Sequence, residues 1–124
     1  MAQIVSPSLL SANFGNLQED LKMINSSAAD LLHIDIMDGV FVPNITFGPG
    51  VVKSLRDKVG LVFDVHLMIT EPERYIDDFV KAGSDYITIH YEATKVSHWS
   101  DANYNYYFET EKSKYVTVYY NDGT

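Results

Sequence analysis

From residue 3 to residue 93 the chain alternates short runs rich in β-branched residues with segments whose apolar positions recur every three or four residues. "QIVSPSLL" (3–10) reads as a strand. "NLQEDLKMINSS" (16–27) reads as a helix, because Leu17, Leu21 and Ile24 follow helical spacing and Asn16 with Glu19 makes an N-cap pair. "DLLHIDIM" (30–37) is a second strand, and "PGVVKSLRDKV" (49–59) a second helix opened by Pro49. "LVFDVHLMI" (61–69) is a third strand. "EPERYIDDFVKAG" (71–83) is a third helix, with Pro72 in its first turn and Gly83 as its stop. "SDYITIHYEA" (84–93) is a fourth strand. Strand and helix alternating at intervals of roughly 25 residues predict βα units around a parallel sheet.

A second pattern lies inside the strands, where residues two apart share a face. Ser6 and Ser8 share one. So do His33, Asp35 and Met37; Asp64, His66 and Met68; and Thr88 and His90. The complementary positions are Ile34 and Ile36, then Phe63, Val65 and Leu67, then Ile87 and Ile89. An open doubly wound sheet is covered by helices on both faces, and both should read apolar. One polar face repeated four times suits instead the interior of a (β/α) barrel, with chemistry at its carboxyl-terminal rim.

Past Thr94 the texture changes. "NYNYYFET" (103–110) and "KYVTVYY" (114–120) read as two strands joined by "EKS". This is antiparallel sequence following parallel sequence, with Thr94 to Asp101 as the junction. The expected organisation is a four-stranded parallel βα unit over 1–93 and a Tyr-rich β-hairpin over 94–124.

Composition narrows the function classes. The chain has 124 residues, enough for one domain with an adequate core. It has no cysteine, which excludes disulfides and thiolate ligands and fits a cytoplasmic setting. No run approaches the ~20 apolar residues of a membrane span, and no secretory leader is expected at the N-terminus. The formal charge of −8, with Lys and Arg scattered, argues against nucleic acid or an anionic membrane as partner.

The polar positions that could carry chemistry sit on two strands. His33 and Asp35 are about 6.6 Å apart along a strand rising about 3.3 Å per residue. That spacing is expected to be too long for a hydrogen bond along the chain, yet short enough for both to reach one ion. His66 on the neighbouring strand adds a second imidazole. Two imidazoles and a carboxylate suit zinc, iron(II), manganese or cobalt. A lone strand histidine is more often a satisfied core residue; three such groups on matched faces are less easily explained that way. Met37 and Met68 are expected to wall the pocket, and His90 is expected to be a wall rather than a ligand. Ser8 either donates to a substrate oxygen or is structural, while Asp38-Gly39 and Asn44 read as turn residues.

"SPSLLSANF" (6–14), "LHIDIMDGVFVPNITFGP" (32–49), "DVHLMI" (64–69) and "HYEA" (90–93) closely resemble the first half of ribulose-phosphate 3-epimerase, almost continuously from about Ile4 to Ala93. The resemblance implies half of a TIM (β/α)8 barrel, followed here by the antiparallel hairpin, and a divalent metal. It also implies a small phosphosugar as partner, since the family interconverts ribulose 5-phosphate and xylulose 5-phosphate. By resemblance His33, Asp35 and His66 are metal ligands and Asp35 is one of two acid/base carboxylates. Ser8 and His66 would contact substrate, and Met37 and Met68 would shield the enediolate.

The family's second catalytic aspartate and its phosphate-binding loops come from later strands. Neither Glu109 and Glu111 in the hairpin nor Asp64 and Glu92 is expected to replace that aspartate. Full epimerisation by this chain is therefore expected to be impaired or absent. The alternative reading is a non-catalytic, chimeric scaffold. In either case open strand edges, with Trp99, Tyr104, Tyr106, Phe108, Tyr115 and Tyr120 wanting burial, predict a homo-oligomer.

Overall fold

Alternating burial builds the sheet. Leu31–Met37 (β1) buries Leu32, Ile34 and Ile36; Val62–Met68 (β2) buries Phe63, Val65 and Leu67; and Tyr86–His90 (β3) buries Ile87 and Ile89. The computed structural model describes residues 3–94, with Tyr91 by its backbone, and the backbone of Tyr104–Phe108 (β4) and Tyr115–Tyr120 (β5). β1, β2 and β3 pair in parallel, with Asp35 opposite His66 and His66 opposite Thr88. The β5 backbone pairs antiparallel with β3 and β4 lies outside it, giving the order β1-β2-β3-β5-β4. The hairpin's side chains, Trp99, Glu109 and Glu111 lie outside the described residues.

Helices Leu17–Asn25 (α1), Pro49–Arg56 (α2) and Ile76–Lys81 (α3) supply the other half of the core. Leu21, Val52, Leu55, Ile76 and Phe79 join the buried strand residues in one apolar cluster. The helices therefore take the apolar face of the sheet and leave the polar face for the site. The result is an α/β architecture with a three-stranded parallel sheet.

Four expectations need correction. The strand over 3–10 forms only an extended segment, with one isolated parallel bridge between Ser8 and His33. Its carbonyls do accept from β1, Val5 from Leu31 and Pro7 from His33, but Pro7 has no N–H to return and Leu9–Ser11 coils into a 3-10 turn. Three named parallel strands stand where four were expected. Asn16 makes no side-chain cap; the turn is instead held by Asn13, which accepts from Gly15 N, and Asp20, which accepts from Asn13 N. The helix over 71–83 is broken: Glu71 is left-handed at φ 48°, Pro72–Arg74 is a 3-10 turn, and only Ile76–Lys81 is α-helical. The strand over 84–93 ends at His90, after which Tyr91–Ala93 turns into a 3-10 segment.

Gly83 closes α3 as expected, and for two reasons. Its φ of 109° is in the region only glycine enters freely, and a Cβ there would come within 2.5 Å of Arg56 Cδ. Arg56 fills that space at the amino-terminal end of the sheet. Its guanidinium donates to the carbonyls of Val59, Leu61 and Gly83 and to Asp85 Oδ2, and its Cζ lies 3.7 Å from the Phe63 ring centroid.

Candidate metal centre

The polar face gathers a continuous chain of ionisable groups. On β1, His33 Nε2 lies 2.9 Å from Asp35 Oδ1. His33 Nδ1 lies 2.9 Å from Asp64 Oδ2 on β2. Asp35 Oδ1 is also 3.2 Å from His66 Nδ1, while His66 Nε2 is 2.7 Å from His90 Nε2 on β3. His90 Nδ1 closes the row, 3.3 Å from Glu92 Oε1.

The expectation that His33 and Asp35 could not bond along the strand is therefore wrong. Backbone rise fixes where the Cβ atoms stand, and two side chains leaning toward each other cover the remaining distance.

The electrostatics follow from this geometry. The hydrogen bond to Asp64 raises the His33 pKa above its ordinary 6.5, with Asp35 adding to it against the opposing effect of burial. Both ring nitrogens face carboxylates, so the protonated ring donates twice. His66 is pushed below 6.5, first by burial and then by the neighbouring His90, with Asp35 opposing. A raised histidine stabilises the fold below pH 6.5 and loses that contribution as pH rises through its folded pKa. A lowered one contributes above 6.5 and loses it as pH falls. In the metal-free chain an NMR titration should therefore find His33 midpoint above, and His66 below, 6.5. Coincident midpoints would contradict the arrangement.

His33, Asp35 and His66 each offer a ligand atom, all within 4.8 Å of one another. Metal bonds of about 2.0–2.2 Å set neighbouring ligand atoms roughly 2.9–3.4 Å apart. The observed 2.9 and 3.2 Å separations about Asp35 Oδ1 already match. The residues fit a divalent ion, whose binding would displace the proton that His33 Nε2 gives to Asp35.

The loops at the carboxyl ends of the strands are tied together by Asp38. Its Oδ1 accepts from Val40 N and Phe41 N, each at 2.9 Å, and its Oδ2 accepts from Thr70 N at 2.8 Å and Thr70 Oγ1 at 3.2 Å. Desolvation opposes its charge, but these four donors prevail and bring its pKa down to about 2. Gly39, at φ 75°, lets the chain turn under Ile45. Thr46 returns the loop to β1, donating to Asp35 O and accepting from Met37 N. Phe41 is thereby set edge-on to His90, with centroids 4.9 Å apart. Asp38→Ala should lower stability by about 2 kcal/mol, the scale of losing hydrogen bonds to a charged acceptor. Thermal unfolding checks this, and an unchanged transition would mean the loop is held by Thr46 alone.

Of the other expected site residues, Met37 and Met68 are register partners at the carboxyl ends of β1 and β2, where walls of a pocket would stand. Ser8 Oγ accepts from Leu10 N at 3.3 Å, capping the first 3-10 turn beside His33. Asn44 Oδ1 accepts from Ile45 N, a turn role. His90 is more than a wall, being bonded to His66. Asp64 and Glu92, which the sequence placed near the site without a part to play, hold the outer nitrogens of His33 and His90. Only their proximity in register could have shown it.

An α/β protein with two imidazoles and a carboxylate converging on the polar face of a parallel sheet carries a candidate divalent-metal site. The chain belongs to the ribulose-phosphate 3-epimerase family, whose sequence model matches residues 4–102. It is 50% identical over 95 residues to the ribulose-phosphate 3-epimerase of Synechocystis sp., covering 77% of this chain and 41% of that protein. It is 53% identical over 95 residues to the chloroplastic ribulose-5-phosphate-3-epimerase of Arabidopsis thaliana, covering 77% and 34%. The ribulose-phosphate 3-epimerase of Bacillus subtilis is 53% identical over 89 residues, covering 72% and 41%. The chain thus spans about two fifths or less of these relatives' length. Among the described residues no helix is long and apolar enough to cross a membrane.

Proposed function

We propose that this chain carries the metal-binding, proton-abstracting half of a ribulose-phosphate 3-epimerase site, built on half of a (β/α)8 barrel. The observation that supports it most is the convergence of His33 Nε2, Asp35 Oδ1 and His66 Nδ1 within one coordination sphere. When bound, a divalent metal would polarise the ketone and neighbouring hydroxyl oxygens of the pentulose phosphate and make the C3 proton acidic. Asp35, within reach of the same centre, takes that proton and returns it. Ser8 contacts the sugar, His66 lies against it as well as holding the ion, and Met37 and Met68 keep water from the reacting face.

By resemblance, the carboxylate that acts on the opposite face and the loops that grip the phosphate belong to later strands of the family's barrel. Proton exchange on one face should then outlast epimerisation. We read the residues beyond 102, where the family match ends, as a segment added to this half-barrel. The antiparallel backbone pairing of Tyr115–Tyr120 with β3 supports strand addition at that edge. Pairing of two copies through the remaining open edges would complete the sheet, and light scattering tests it.

The zinc- or iron-loaded chain is incubated with ribulose 5-phosphate in D₂O, and C3 is followed by proton NMR. Deuterium at C3 with little xylulose 5-phosphate is the expected result. No deuterium at C3 would overturn the reading and leave a scaffold that keeps the site's residues without its chemistry.

A further inference from the structure

Two imidazoles at the metal centre have to present a lone pair inward, and each therefore has to keep its proton on the outward nitrogen. For His33 the device is direct: Asp64 Oδ2 lies 2.9 Å from Nδ1 and holds the proton there. At His66 the outward nitrogen, Nε2, meets another imidazole, His90 Nε2, at 2.7 Å, with the two ring planes within 16° of each other. The carboxylate stands one step further out, with Glu92 Oε1 3.3 Å from His90 Nδ1.

We propose that His90 and Glu92 form a tautomer lock on His66, with Glu92 holding the proton on His90 Nδ1, His90 Nε2 accepting from His66 Nε2–H, and His66 Nδ1 left as the lone pair for a metal. This rests on the metal reading of His33, Asp35 and His66.

Two arrangements of protons satisfy the 2.7 Å contact between neutral rings. In one, the proton lies on His66 Nε2, and His90 donates its own from Nδ1 to Glu92. In the other, His90 Nε2 donates inward, its bare Nδ1 faces the Glu92 carboxylate, and His66 Nδ1–H points at Asp35. The second places lone pair against anion at Glu92 and blocks the ligand position. Asp35 favours it, since its Oδ1 is 3.2 Å from His66 Nδ1, but that oxygen is shared with His33 Nε2, 2.9 Å away. Glu92 therefore decides which nitrogen of His66 is bare. Metal-bound imidazoles regularly give their other N–H to a fixed acceptor, whose loss weakens binding by about 10–100-fold. The His90 ring is kept in place by Phe41 edge-on and is mostly buried, whereas half of the Glu92 side chain is open to solvent. Glu92 is thus the more exposed of the two positions to change.

Long-range proton–nitrogen correlation spectra of the metal-free, ¹⁵N-labelled chain read the tautomers directly, and zinc titration reads the affinity. The wild type should show His66 Nε2–H and His90 Nδ1–H. Glu92→Ala should move His66 toward Nδ1–H and weaken zinc binding about tenfold. Glu92→Gln, whose amide oxygen still accepts, should restore both. His90→Phe should act as Glu92→Ala does, and if it fails to fold the Glu92 pair still decides. A wild-type His66 protonated on Nδ1, an unchanged tautomer in Glu92→Ala, or a Gln variant no better than Ala would each overturn the lock. A chain that binds no zinc yet shows the expected tautomer changes would sink the metal reading and leave the lock standing.

Discussion

Asp35→Asn should abolish deuterium exchange at C3 of ribulose 5-phosphate while leaving the fold in place. Asparagine keeps the volume and one oxygen that can accept from His33 Nε2, so the strand loses little packing. What it loses is charge. A positioned general base accelerates proton transfer by about 10²–10⁴-fold, and the amide cannot take the proton. The same substitution removes the only anion among the three candidate ligands, so zinc affinity should fall as well. His33 should titrate lower, because Asp35 contributes to its raised pKa, yet stay elevated because the larger contribution comes from Asp64. Exchange, zinc titration and the His33 midpoint are three separate readouts of one side chain. Exchange at the wild-type rate would move the base elsewhere, with Asp64 the nearest alternative. A lost His33 shift with exchange intact would say that the carboxylate is there for the histidine alone.

The sequence carried the alternation of β1 and β2 and the shared face of His33, Asp35 and His66, because both depend on period two. In "LLHIDIM" and "VFDVHLM" every second residue is apolar and buried, and His33, Asp35, Asp64 and His66 meet on the other face. It misled where the outcome depended on partners far along the chain. Residues 3–10 have strand-like composition, but a ladder needs donors as well as acceptors, and Pro7 removes one at the point where Ser8 turns away. The helical pattern over 71–83 is continuous in hydropathy, yet Glu71 enters in a left-handed conformation and Tyr75 interrupts the first turn. His90 looked like a wall because strand register places it on the right face without saying how far its ring reaches. Its 2.7 Å contact with His66 depends on side-chain torsions that no alternation pattern encodes.

Arg56→Ala should cause the largest loss of stability among surface-accessible polar positions of the described residues, about 3–5 kcal/mol, with no direct effect on the metal centre. By pattern Arg56 is simply a basic residue in the last turn of α2, where it would add a few tenths of a kcal/mol against the helix dipole. Its position makes it much more. One guanidinium ties the turn after α2 (Val59 O), the entry to β2 (Leu61 O) and the turn after α3 (Gly83 O), and it pairs with Asp85 Oδ2, which also accepts from Phe63 N. Removing it leaves these carbonyls without their donor, at about 1–3 kcal/mol for each that water does not reach, and exposes the Phe63 ring it covers. A loss of that size corresponds to a drop in melting temperature of roughly 10–20 °C. Lysine keeps the charge but presents one donor point in place of a planar fork, so Arg56→Lys should recover only a part. All of these contacts lie at the amino-terminal ends of β2 and β3, opposite the rim that holds His66 and His90. In a (β/α) barrel that end serves stability and the carboxyl-terminal end serves chemistry. At a temperature where Arg56→Ala is still folded, its zinc affinity should therefore equal that of the wild type, whereas Asp35→Asn should show the reverse pattern.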